Sequence, residues 1–135
     1  MFDALFISVG VAEDGMEINM DNEKVYKMEY AKIYTLLLNK VAKKGRSKEE
    51  LDEVIRWLTG YSQEELDRLA GMQTGYGDFF RNAPCMNENR RLIRGAVCGV
   101  RVEEIEDPLM RDIRYLDKLA DELAKGKEMG KILRS

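Results

Sequence analysis

The chain of 135 residues contains no histidine. That absence removes Ser-His-Asp and Cys-His nucleophilic catalysis, imidazole-ligated metal sites and the usual switch near neutral pH. Cysteine is scarce as well, with only Cys85 and Cys98. They form no CxxC pair and cannot build a four-ligand zinc site, so both read as free thiols of a reducing compartment. No apolar run approaches the roughly 20 residues of a membrane-spanning helix. The opening residues are apolar around Leu5, Phe6, Ile7 and Val9 but carry Asp3, where a signal peptide needs a basic stretch. The expectation is a soluble cytoplasmic protein without a membrane partner and without a cofactor.

What is present describes a globular chain. Hydrophobic residues make up 44% and charged residues 35%, and this length corresponds to one domain able to bury a core without staples. The net charge of −3 is uneven: residues 1–24 hold six acids against one base, leaving 21 bases and 19 acids for the rest. A nearly neutral body argues against a strongly basic nucleic-acid binder.

Residues 1–24 therefore read as an N-terminal extension and residues 25–135 as one helical domain. Phe6–Val11 and Met16–Asn19 flank a Glu-Asp-Gly turn and suggest a short β-hairpin. An appendage before a start at Met20 is the alternative, and both remain open. Tyr30, Tyr34, Leu37, Leu38 and Val41 recur at helical spacing and predict a helix from about Met28 to Lys44, ended by Gly45. Ser47-Lys-Glu-Glu50 and Ser62-Gln-Glu-Glu65 are capping boxes, each opening a helix. Gly60 stops the first of them. Asp78-Phe-Phe80 predicts a short helical turn closed by Pro84. Asn87 predicts a helix through about Cys98, in which Gly95 and Gly99 would allow a neighbour's backbone to approach. Asp107-Pro108 opens a long final helix with Leu109, Ile113, Leu116, Ala120 and Leu123 inward. On its outer side Asp107–Arg111, Lys118–Glu122 and Asp121–Lys125 stand four apart as ion pairs. The fold class is all-α: a compact bundle of about five helices, with room for that N-terminal hairpin or a disordered extension.

Long strings in the second half resemble a known family. Ile55-Arg-Trp-Leu-Thr-Gly-Tyr-Ser62, Val97-Cys-Gly-Val-Arg-Val102 and Ile105-Glu-Asp-Pro-Leu-Met110 through Lys118 carry the resemblance. So do Glu122–Lys127 and Lys131–Arg134. From about Lys24 onward the chain resembles bacterial domain of unknown function 2200. The resemblance implies a compact, predominantly helical domain beginning near Val25, and it implies no activity.

Five constellations are candidates for chemistry. Glu50 and Glu53, followed by Glu64 and Asp67, resemble the EExxE…ExxD carboxylates that hold magnesium in all-helical nucleotide pyrophosphohydrolases of the MazG-like class. The spacer is short for that class, and first-turn acids after Ser47 and Ser62 are already accounted for by capping and the helix dipole. Arg90, Arg91, Arg94 and Arg101, with Arg81 nearby, face only Glu88 within residues 81–101. Guanidinium forks suit phosphate or carboxylate, while pairing with Glu103, Glu104 or Glu106 is the structural alternative. Cys85 beside arginines is a candidate thiol, but no histidine base accompanies it. The Leu51–Leu69 region looks superficially like helix-turn-helix, with Glu64, Glu65 and Asp67 of the wrong sign for phosphates. Trp57, Tyr61, Tyr76 and Tyr115 suit an interface or the edge of a core. The favoured reading is a small non-enzymatic binding or adaptor module, open to homodimerisation, with an arginine-rich surface for an anionic ligand or partner. The rival is the magnesium-dependent hydrolase, which requires its four carboxylates to converge.

Overall fold

The computed structural model of the chain describes residues 22–97 and 99–135. The hairpin or appendage expected over residues 1–19, and the Cys98 thiol, lie outside these residues. Helical backbone over residues 22–27 leads into α1, Tyr30–Ala42. The helix starts two residues later than the apolar spacing suggested, because Met28 and Glu29 are used elsewhere. The Met28 carbonyl accepts from Tyr76 N–H at 2.6 Å and Tyr30 N–H donates to the Thr74 carbonyl at 2.8 Å. Glu29 and Gly75 thereby form an antiparallel bridge. The inward face of α1 is Tyr30, Ile33, Tyr34, Leu37 and Val41.

Two capping boxes then set the next two helices. Ser47 Oγ accepts from Glu50 N–H at 3.1 Å, and the Glu50 carboxylate accepts from Ser47 N–H at 3.0 Å, opening α2, Lys48–Thr59. The same reciprocal pair at Ser62 and Glu65 opens α3, Gln63–Ala70. Each box satisfies amides that the first turn would leave without partners. Gly60 ends α2 in the left-handed region, at φ +81°, where a side chain is strained. Space is lacking there too, since a Cβ would lie 2.8 Å from the Cys85 carbonyl oxygen. The segment after Pro84 lies across the end of α2, with Cys85 N–H on the Thr59 carbonyl and Asn87 N–H on the Leu58 carbonyl.

The Asp78-Phe-Phe80 turn is α4, Tyr76–Arg81. Phe79 stacks on Tyr30 with ring centroids 4.0 Å apart and meets Phe80 edge-on at 5.1 Å. The helix expected from Asn87 to Cys98 does not form. Asn87 caps only a 3-10 turn, Glu88–Leu92, and two short strands follow: β1, Ala96–Val97, and β2, Val100–Arg101, paired antiparallel through Val97 and Val100. Gly95 and Gly99 have φ of +111° and +81°, values that an α-helix cannot accept. They are turn glycines and do not mark a helix–helix crossing. A second 3-10 turn, Val102–Glu104, leads to α5.

Helix α5, Pro108–Ala124, is the element around which the others are arranged. It packs against α1, α2, α4, β1, the second 3-10 turn and the terminal α6, Met129–Ile132. Asp107 caps it, accepting from Leu109 and Met110 N–H, and Pro108 takes the first helical position. Ile113, Leu116, Leu119, Ala120 and Leu123 are fully buried. Each such aliphatic side chain larger than Ala contributes roughly 1.5–3 kcal/mol. Two charged residues of α5 are buried beside them: Arg114 and Asp117 are 1% and 0% exposed, joined at 3.1 Å. Of the three expected outer ion pairs, only Asp121–Lys125 forms, at 3.1 Å. Glu122 is buried and is held by Arg134 at 2.6 Å, and Lys118 donates instead to the Ala96 carbonyl. At the far end of α5, Arg46 donates to the Leu123 and Lys127 carbonyls while also pairing with Glu50.

Candidate anion-binding site

The loss of the expected Asn87 helix rearranges the arginines. Arg90 and Arg91 sit on the 3-10 turn, and Arg94 follows outside regular secondary structure before Gly95. Opposite them, the first turns of α5 present Pro108, Arg111, Asp112 and Tyr115, spaced to share one helix face. These residues, with Glu103, enclose a concavity of about 370 Å³. Arg90, Arg91 and Arg94 are thus brought together, and Arg111 joins them. Arg101 is not part of the group: it turns outward to Glu103 at 2.7 Å and Glu104 at 3.9 Å. Its expected alignment with Arg90 and Arg94 required a continuous helix.

The acids of the concavity are already engaged. Arg90 Nε meets Asp112 Oδ1 at 3.0 Å, and Arg90 also donates to the Asn87 carbonyl. Glu103 accepts from Gly95 N–H at 2.9 Å and from Arg101. The Gly95 amide first, then its own backbone amide, and after these the Arg101 guanidinium hold its carboxyl down at about 2. It therefore stays ionised and bound to the hairpin. Arg91 reaches Glu88 only at 3.9 Å, both side chains being largely in water. Arg94 is exposed and Arg111 half-buried. Among the described residues no acid lies within ion-pair distance of either. Four arginines against two carboxylates leave the lining with two excess positive charges.

Arg111 escaped the sequence reading because Asp107 stands four residues before it. That acid is occupied by the α5 cap and by the Tyr26 hydroxyl at 2.9 Å, so Arg111 faces the concavity instead.

The other candidates are distributed differently. Among the described residues no three acids or cysteines are placed to hold a metal ion, so Glu50, Glu53, Glu64 and Asp67 do not form the cluster that the hydrolase reading requires. Glu50 serves the Ser47 cap and Arg46, Asp67 accepts from Gln63, and Glu53 and Glu64 are exposed. A smaller cavity of about 110 Å³ beside Tyr34 contains the buried Asp52 carboxylate, already saturated by Tyr34, Lys48 and Gln63. Arg81 pairs with Asp78 and lies over the Tyr26 ring. Tyr61, Tyr76 and Tyr115 are buried core residues, with Trp57 at the core's edge. Cys85 is a free, exposed thiol.

Fold and site together define a small, mostly helical domain built around one central helix, with a basic concavity at that helix's start. The model of a family described as uncharacterized proteins conserved in bacteria, DUF2200, matches residues 24–134. The chain belongs to this family. It is also similar to the crystal structure of the uncharacterized protein SP1917, with 47% identity and a TM-score of 0.79 over 82% of this chain and 91% of that one. No curated protein is significantly similar to it. Among the described residues no helix is long and apolar enough to cross a membrane.

Proposed function

We propose that the protein is a small non-enzymatic binding module of the bacterial cytoplasm, which takes an anionic ligand or acidic partner into the Arg90–Arg91–Arg94–Arg111 concavity. One observation carries the reading: Arg94 and Arg111 line the same concavity, and neither meets a carboxylate among the described residues. Like charges crowded together weaken the free protein, and an arriving anion relieves that repulsion through charge-assisted hydrogen bonds. The exposed free thiol of Cys85 suits a reducing compartment. A chain without histidine lacks the commonest general base.

The test compares thermal melts of the wild type and Arg94→Glu across a sulfate titration. Sulfate stabilises proteins in general by exclusion from their surface, so the informative quantity is the difference between the two. The wild type should gain more, with the excess saturating as a binding site fills. Equal, unsaturating gains in both proteins would end the reading.

A further inference from the structure

Resting on the anion-binding reading, we infer that the ligand is a small organic phosphate monoester, its dianion held between Arg94 and Arg111 and its organic part against Pro108 and Tyr115. Three features of the concavity support this. The first is charge: the excess of two positive charges in the lining matches a phosphate monoester, which carries about −1.5 to −2 near pH 7. The second is geometry: Arg94 comes from the wall before β1 and Arg111 from α5, so two guanidinium forks from separate elements can grip different edges of one tetrahedral group. The third is shape. At about 370 Å³ the concavity has the size of small-molecule sites, which span roughly 300–1,000 Å³. The exposed Pro108 ring supplies apolar surface beside the arginines, while Tyr115, 4% exposed, adds only the small part of its side chain that reaches the lining. A bare ion would leave that surface uncovered. A nucleic-acid strand would need a basic track, and the chain as a whole carries −3.

The experiment titrates the full chain with four probes, followed by amide chemical shifts and calorimetry. The probes are phenyl phosphate, inorganic phosphate, benzenesulfonate and a phosphoserine peptide. Phenyl phosphate should bind best, because it alone combines a dianion with an apolar body small enough to enter. Benzenesulfonate keeps the ring but has one charge, and should bind about tenfold more weakly. Phenyl phosphate affinity should fall about fourfold from pH 7.5 to 5.5 as its second proton, with a pKa near 6, returns. The arginines keep their charge throughout. Arg94→Ala and Arg111→Ala should each lose about tenfold or more in affinity, whereas Arg68→Ala, outside the concavity, should bind like the wild type. Arg94 is exposed, so its variant remains folded and keeps the test valid. If inorganic phosphate or benzenesulfonate matches phenyl phosphate while Arg94→Ala still weakens all three, the monoester assignment falls and the anion site stands. A phosphoserine peptide binding more tightly than phenyl phosphate overturns the small-molecule assignment. If no probe binds, the anion reading falls as well.

Discussion

The buried Arg114–Asp117 pair should make this protein less stable as the pH rises through neutrality. The Asp117 carboxyl is fully enclosed by α5 and its neighbours. Burial pushes its pKa from 3.8 up to about 7, against the opposing pull of Arg114 and of Lys40 on α1, and with a smaller push from Asp121. Its Oδ1 has no hydrogen-bond partner among the described residues, and neither does the buried Tyr76 hydroxyl, whose ionisation is suppressed first by burial and then by Asp117. The folded state thus holds a proton that the unfolded chain has released. A pKa raised on folding gives stability that is complete below the unfolded value and is lost as pH climbs to the folded one. At 1.36 kcal/mol per unit the whole window is worth about 4 kcal/mol, of which about 2–3 kcal/mol falls between pH 5 and 8. Few other groups titrate there, because the chain has no histidine. The carboxyls of Glu50 and Glu103 lie below their ordinary values, so their contributions are lost only in more acidic solution. The assay is a series of urea unfolding curves at half-unit pH steps. The wild-type midpoint should decline from pH 5 to 8, and Asp117→Asn, which keeps the volume without the proton, should be flat. A wild-type midpoint that rises over this range would refute the reasoning. So would a loss of ~3–5 kcal/mol in Asp117→Asn at pH 8, the signature of a broken buried pair.

Further outcomes follow from the packing. Leu116→Ala empties a fully buried position on α5 and should cost ~2–5 kcal/mol in the same urea experiment; a negligible shift would mean that the helix does not seat there. Gly60→Ala places a Cβ 2.8 Å from the Cys85 carbonyl at φ +81°. It should destabilise by more than the ~1 kcal/mol that a left-handed alanine costs on its own, and calorimetric melts would show this. Arg94→Ala removes an exposed member of a like-charged group and should leave the unfolding free energy within about 0.5 kcal/mol of wild type, or raise it.

The helices that could be read in the sequence are those specified by their own residues. Ser47, Ser62 and Asp107 place side-chain oxygens on amides two or three residues away, and Gly60 needs only its own backbone angle. Such signals survive without knowledge of the tertiary fold. The stretch from Asn87 to Val102 lacked them. Its two-residue strands are too short to show a period of two. Leu92, Ile93, Ala96 and Val97 fit a helical face although Leu92 is largely exposed. Gly95 and Gly99 were the available clue, being turn residues before they are packing residues. The arginine grouping was therefore only partly legible. Arg90, Arg91 and Arg94 are neighbours in sequence, whereas Arg111 depends on Asp107 having been taken by Tyr26. The buried ion pair left no periodic trace at all, because hydrophobic spacing cannot announce a charged residue at a core position.

Arg46 joins regions of the chain that are 77 and 81 residues apart. From the short connection between α1 and α2 its guanidinium donates to the Leu123 carbonyl in the last turn of α5 and to the Lys127 carbonyl just beyond it, while Glu50 fixes it from the other side. The reach of one arginine therefore sets the length of that connection. Lys43 to Gly45 looks like an ordinary surface loop, exposed and ending in glycine, of the kind that usually accepts inserted residues without complaint. An insertion here would carry the guanidinium away from the Lys127 carbonyl and leave the Leu123 carbonyl to the Gly126 amide alone. The end of the central helix would then begin to fray at a place remote in sequence from the change. For anyone seeking a permissive position for a tag or a circular permutation, this loop is a poor choice despite its exposure.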